Sequence, residues 1–306
     1  MTNLSMKHLR YFDALARIGH FGRAADDCAV SQPALSIQIR ELEELIGAKL
    51  VERGGRRAAL TVLGEQFAER ARAILQSVDE LEGLARAARG SFSGQLRLGV
   101  IPTVAPYLLP GLIKALAATY PDLDPRPREA VTRKLIRDLA EGRLDAAVVA
   151  LPVSEPLLEE VSLFREEFVL VRAVEDAEKP VPSSERLTEM RLLLLEEGHC
   201  FREQALSFCS VSTASPRDLM EGSSLSTLVQ MVSAGIGVTL IPQMAVETET
   251  RSATVSIARL REPRPSRTIG MVWRKTNPLS VQLNLVAEIV REVGLRKVGL
   301  TADPLD

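Results

Sequence analysis

The feature that most constrains the fold is a change of hydrophobic period at Gly90-Ser91-Phe92-Ser93-Gly94. Before it, apolar residues recur at the spacings of three and four that mark helices. After it, short apolar runs alternate with helical segments, which is the pattern of an α/β fold. At 306 residues the chain exceeds one typical domain, and two or three are expected. We delimit them as residues 1–62, a long helix and hinge over 63–93, and an α/β region over 94–306.

In the first region, Leu9, Phe12, Leu15 and Ala16 form one face of a helix from about Ser5 to Ile18. A second helix runs from Phe21 to about Ala29, with Ala24, Ala25 and Cys28 inward. Val30-Ser31 makes a tight turn, and Ser31 caps a third helix that carries Pro33 in its first turn. That helix reaches Gly47 and buries Leu35, Ile39, Leu42 and Ile46. These are the ingredients of a helix-turn-helix. Its exposed face begins with Gln32, Ser36 and Arg40, side chains able to bond base edges or phosphates. The hairpin-like stretch from Leu50 to Thr61 has Gly and Arg at its tip (Arg53, Arg56, Arg57), suited to phosphate contact. The residues alone also fit a generic three-helix unit with a solvated basic loop. A net charge of −2 gives no global sign of nucleic acid, so any such surface is local.

Thr61 caps a helix that continues to about Arg89, with Phe67, Ala71, Ile74, Val78, Leu81, Ala85 and Ala88 at coiled-coil spacing. Such a stripe either pairs with a copy of itself or packs on its own domain. No run of about 18 apolar residues suggests a membrane helix, and the N-terminus lacks a signal-peptide core. Three cysteines (Cys28, Cys200, Cys209) in so long a chain fit a reducing cytoplasm. The histidines at 8, 20 and 199 are scattered, so no metal site is expected, and no phosphate-binding glycine loop occurs.

Beyond residue 94, strands are expected at 96–101, 145–150, 168–171, 192–195, 237–242 and 267–273. Helices are expected at 106–119, 132–141, 225–234 and from about 279 to 293. Between Cys200 and Cys209 the residues Phe201, Ala205 and Phe208 recur at helical spacing. A helix there would hold the two cysteines roughly 13 Å apart along its axis, whereas a disulfide needs Cα atoms within about 7 Å. A bridge would therefore require the helix to melt. His199 and Arg202 can support a thiolate at Cys200, as can placement at a helix N-terminus after Gly198. The alternative is a pair of unrelated, inert, buried thiols. Ligands in α/β folds sit at the carboxyl ends of strands, so Cys200 and Thr103 should share a cleft.

The stretches Phe21-Gly22-Arg23-Ala24-Ala25, Val30-Ser31-Gln32-Pro33-Ala34-Leu35-Ser36, Ile39-Arg40-Glu41-Leu42-Glu43 and Leu50-Val51-Glu52-Arg53 resemble the winged helix-turn-helix of LysR-type transcriptional regulators. The resemblance implies an α/β protein with an N-terminal winged helix-turn-helix, a long dimerisation helix and a two-lobed, periplasmic-binding-protein-like regulatory domain. Lobe I would take about 94–167 and 268–306, and lobe II about 168–267. Ser31, Gln32, Pro33, Ser36, Arg40, Arg53, Arg56 and Arg57 would contact DNA, and Phe67, Ala71, Ile74, Val78 and Leu81 would form the dimer helix.

Further, Ile101-Pro102-Thr103-Val104-Ala105-Pro106-Tyr107-Leu108-Leu109-Pro110 and Leu195-Glu196-Glu197-Gly198-His199-Cys200 resemble the hydrogen-peroxide-sensing branch of that family. By this resemblance Cys200 is the peroxidatic cysteine and Cys209 the resolving one. Thr103, Thr132, His199 and Arg267, with Arg202, would form the peroxide pocket. The implied partners are promoter DNA, hydrogen peroxide, copies of the chain in a dimer and a tetramer, and RNA polymerase. No cofactor, metal, membrane or enzymatic turnover is implied, and the target genes would be antioxidant ones. Cys28 matches no redox position and reads as core. Two other readings remain: a LysR-type regulator answering a small effector in the inter-lobe cleft, and a thiol peroxidase. A peroxidase would have no use for Gln32, Arg40 and a dimer helix.

Overall fold

The computed structural model describes residues 4–52, 58–88, 92–187, 190–208 and 220–299. The chain forms two compact units, Met1–Ala85 and Arg86–Asp306.

In the first unit, α1 (Met6–Ile18), α2 (Phe21–Asp27) and α3 (Gln32–Ile46) are followed by β1 (Val51–Glu52), β2 (Ala59–Leu60) and α4 (Val62–Ala88). The signals that delimit α3 are those of the sequence. Ser31 Oγ accepts from Ala34 N at 3.4 Å, and Gly47 ends the helix with φ 75°. Phe12, Leu15, Ala24, Leu35, Ile39 and Leu42 form the core. Glu43 is buried in place of the expected Ile46, which is half-buried. Its Oε1 accepts from Leu50 N at 3.0 Å and Val51 N at 3.2 Å, and its Oε2 pairs with Lys49 Nζ at 2.9 Å. Burial alone would raise this carboxyl, but the Lys49 and backbone donors outweigh it and hold the group below the usual carboxylate range. One carboxylate thus ties α3 to the start of the β1–β2 hairpin.

The α4 stripe divides in two. Phe67 stacks edge-on against Phe12 at 5.3 Å, Ala71 is buried, and Arg72 Nε donates to Asp13 at 3.1 Å. Ile74 is 45 % exposed, Leu81 65 % and Leu84 55 %, while Val78 is half-buried. Phe67 and Ala71, expected in the dimer seam, therefore belong to the core of their own domain. The cause is geometric: a straight α-helix drifts by about 20° per heptad, so from Phe67 to Leu81 the stripe turns by roughly 40°. Packing keeps most of α4 with the first unit, which extends past the expected limit at residue 62.

The second unit contains β3 (Gly94–Val100), α5 (Ala105–Thr119), β4 (Leu123–Glu129), α6 (Thr132–Ala140), β5 (Ala146–Leu151) and β6 (Leu158–Ala173). Next come α7 (Ser184–Leu187), β7 (Leu192–Leu195), α8 (Cys200–Phe208), β8 (Met220–Gly222), α9 (Leu225–Ser233) and β9 (Val238–Pro242). The chain closes with α10 (Val246–Glu249), β10 (Val255–Arg259), β11 (Ser266–Arg274) and α11 (Ser280–Val298). The strands lie in the order β4-β3-β5-β11-β6-β9-β7-β8, with β10 also paired to β6.

The long β6 joins two groups of strands. Leu158–Glu167 pairs with β11, whereas Phe168–Val171 pairs with β9 and Val169–Ala173 with β10. The strand therefore passes from one lobe's sheet into the other's at Glu167–Phe168. The outer strand β4 runs parallel to β3, with Pro125 and Pro127 opposite Leu96 and Leu98. Gly294 lets α11 lie close on β6, since a Cβ there would sit 2.0 Å from Phe164 Cε1. The last helix reaches Val298, five residues beyond the expected end.

Candidate functional site

Three chain segments meet at one place. Strand β3 leads into Ile101-Pro102-Thr103, α6 begins at Thr132, and β7 leads through Glu196–His199 to Cys200, the first residue of α8. Gly198 has φ 96°, a backbone conformation that suits glycine and turns the chain into the helix. Phe201 then anchors the first turn. It is 2 % exposed, packs edge-on against Phe168 at 4.7 Å, and lies under the Arg267 guanidinium at 5.4 Å.

These segments line a narrow cleft formed by Ile101, Pro102, Thr103, Val131, Thr132, His199, Cys200 and Phe201. Cys200 carries a free thiol and is half-buried. Thr103 and Cys200 thus share one cleft at the ends of β3 and β7, as their places after strands suggest.

The two hydroxyls differ. Thr103 Oγ1 accepts from Arg267 Nη1 at 2.7 Å, and its carbonyl accepts from Nη2 at 3.1 Å. Thr132 Oγ1 is buried without a hydrogen-bond partner among the described residues. Nor does Thr132 cap α6: Val131 occupies the N-cap, with no side-chain cap. A buried hydroxyl left unpaired costs about 1–3 kcal/mol, and such a group in a folded protein calls for a reason. Thr132 lines the same cleft as Cys200. The His199 imidazole is pushed below its ordinary pKa by burial, against the pull of Glu196 and Glu129. It is therefore neutral at pH 7, with one donor and one acceptor nitrogen.

Arg267 is no surface charge. It is wholly buried, its Nε donates to Glu166 Oε2 at 2.8 Å, and Glu166 Oε1 accepts from Met244 N at 2.9 Å. It is not among the cleft walls but touches two residues that are, Thr103 and Phe201. Arg202, expected in the pocket, is not among the cavity walls. Its Nη1 lies 2.8 Å from Leu195 O and 2.8 Å from Glu221 Oε1. Two positions along a helix turn a side chain away from the first, so Arg202 cannot face where Cys200 faces. Sequence reasoning missed Phe201 and Glu166 as parts of this site; a Phe in an apolar stripe and one Glu of a pair carry no signal. Cys209 lies outside the described residues, as do Arg53, Arg56 and Arg57.

On the first unit, Ser31, Gln32, Pro33 and Arg40 are exposed along α3, with Ser36 half-buried among them. Ile37, 50 % exposed, lies beside them.

Two family descriptions match the chain: the bacterial regulatory helix-turn-helix proteins of the lysR family over residues 6–65, and the LysR substrate binding domain over residues 89–294. The chain belongs to the LysR family of bacterial regulators. Its relatives narrow this to the OxyR branch. The DNA-binding transcriptional dual regulator OxyR of Escherichia coli K12 is 40 % identical over 291 residues, covering 94 % of this chain and 95 % of the relative. A full-length cysteine-to-aspartate OxyR from Pseudomonas aeruginosa has a similar structure, with a TM-score of 0.74 at 33 % identity over 95 % of this chain and 96 % of that one. A cysteine-to-serine OxyR of Corynebacterium glutamicum with hydrogen peroxide bound gives 0.67 at 32 % identity, over 98 % and 97 %.

Proposed function

We propose that this DNA-binding transcriptional regulator senses hydrogen peroxide by oxidation of Cys200, with Cys209 as the resolving thiol, and controls antioxidant genes. The observation that carries the reading is that Thr132, whose buried hydroxyl has no partner among the described residues, lines one cleft with Cys200. The Cys200 thiolate attacks one peroxide oxygen: an S–O bond forms, the O–O bond breaks, and two electrons pass from sulfur to peroxide. The products are a sulfenic acid and hydroxide, which takes up a proton to leave as water. Thr103, Thr132 and neutral His199 supply donors where that charge develops. The Cys209 thiol then condenses with the sulfenic acid, giving a disulfide and a second water.

Closing that bond unwinds α8. The helix runs from Cys200 to Phe208, so its two ends lie roughly 12 Å apart along the axis, more than the about 7 Å that a disulfide spans. Dimer packing then shifts and moves the reading heads. Ser31, Gln32, Pro33, Ser36 and Arg40, with Arg53, Arg56 and Arg57, hold promoter DNA. The exposed Ile74 and Leu81, with Val78, pair two copies, two dimers form the tetramer, and RNA polymerase is recruited. The protein works in the cytoplasm as a switch and not as an enzyme; no helix among the described residues is long and apolar enough to cross a membrane. The experiment is stoichiometric peroxide added to the reduced protein, read by intact mass and by promoter footprinting. Loss of two thiols with a changed footprint is expected. An unchanged footprint on full oxidation would overturn the reading.

A further inference from the structure

We infer that Glu166 is a positioning residue for peroxide: acting through Arg267, it fixes the direction in which the Thr103 hydroxyl donates. The inference rests on the peroxide reading above and deepens it.

Glu166 and Arg267 are direct cross-strand partners on β6 and β11, and neither side chain has any exposure. Glu166 is itself held, since Oε1 accepts from Met244 N at 2.9 Å while Oε2 takes Arg267 Nε at 2.8 Å. This grip leaves the guanidinium plane one orientation. In that orientation Nη1 meets Thr103 Oγ1 at 2.7 Å and Nη2 meets the Thr103 carbonyl at 3.1 Å.

A guanidinium can only donate. The Thr103 oxygen is therefore the acceptor of that bond, and its own proton turns elsewhere. Thr103 lines the cavity, so this proton serves whatever occupies it. Were Arg267 to swing away, the hydroxyl could rotate and offer a lone pair instead, which does nothing for a departing hydroxide. The same guanidinium lies over Phe201, the neighbour of Cys200, at 5.4 Å. One carboxylate thus sets the relative placement of donor and thiol.

A purely structural Glu166 would act differently from a positioning one, because a buried cation without its partner weakens the fold as a whole. The test therefore compares two reagents on Cys200 of the full chain, with peptide mass spectrometry as readout. Hydrogen peroxide needs the donors; iodoacetamide needs only an accessible thiolate. Glu166→Gln should slow peroxide oxidation at least tenfold, toward the roughly hundredfold loss that a displacement of about 1 Å brings. Its alkylation rate should stay within about twofold of wild type. Equal changes in both rates, or none in either, would overturn the inference.

The path is tested by adding Thr103→Val. If Glu166 acts through that hydroxyl, E166Q should slow the T103V protein no further than about twofold, the mark of coupled residues. Full additivity would refute it. Should E166Q fail to fold, Glu166→Asp keeps the charge, shortens the reach and supports the same cycle. A wild-type Cys200 no faster toward peroxide than a free cysteine would instead sink the peroxide reading itself, which is a separate result.

Discussion

Cys28 and Cys200 are both free and half-buried, yet their surroundings are opposite. Cys28 ends α2 against the core of the first unit, in a groove lined by Asp13, Arg17 and Asp27 among others. Burial raises its pKa first and the Asp27 carboxylate raises it further, while Arg17, itself paired with Asp27, only partly opposes them. Cys200 instead heads a helix beside a neutral imidazole and two hydroxyls. The difference teaches that access alone does not make a sensor thiol. What counts is a set of donors placed where a leaving group will carry charge.

Four experiments test that contrast. The largest effect is expected from Cys200→Ser, which should abolish the peroxide-dependent change in promoter footprint; a surviving response would place the sensing thiol elsewhere. Thr132→Val comes next and should act in two directions at once. Removing an unpaired buried hydroxyl should leave the melting temperature unchanged or raise it. Losing a donor should meanwhile slow peroxide oxidation of Cys200 by roughly 100-fold. A faster or equal rate would deny the hydroxyl its role.

The third effect is smaller and concerns pH. The folded-state pKa of His199 lies below its ordinary 6.5, so on acidification the unfolded chain takes up this proton first. The stability due to the neutral ring is present above pH 6.5 and lost as pH falls through the lower folded value. Melting curves of the His199→Gln protein should therefore decline less than wild type between pH 7 and pH 5. Parallel declines would show that the ring titrates freely. The smallest effect is Cys28→Ser: peroxide oxidation of Cys200 within about twofold of wild type, with stability lower by about 1 kcal/mol from a polar atom in a packed site. A lost response would make the two thiols partners.

Much of this contrast was legible in the sequence because it rests on local signals. Ser31 before Pro33 and Gly47 after an apolar face announce α3, and the run Leu192–Leu195 followed by Gly198 announces the strand and turn before α8. What escaped was set by distant partners. Nothing local marks Glu166 as the partner of Arg267, yet each removes the other's need for water across two strands separated by about a hundred residues. The first half of β6 carries Glu159, Glu160 and Arg165 and so lacks an apolar run. The segment Leu123–Glu129 contains Pro125 and Pro127, which look like breaks and are tolerated because among the described residues β4 pairs with β3 alone. The α4 stripe was visible, but not its division, which depends on helix drift and on Phe12.

Those two prolines carry a further consequence. They share one side of β4, and having no N–H they take the side turned away from β3. Along that border Pro125 and Pro127 offer a stranger carbonyl acceptors but no N–H. An incoming strand would lose two ladder bonds at this rim, which weakens edge pairing and fibre growth there.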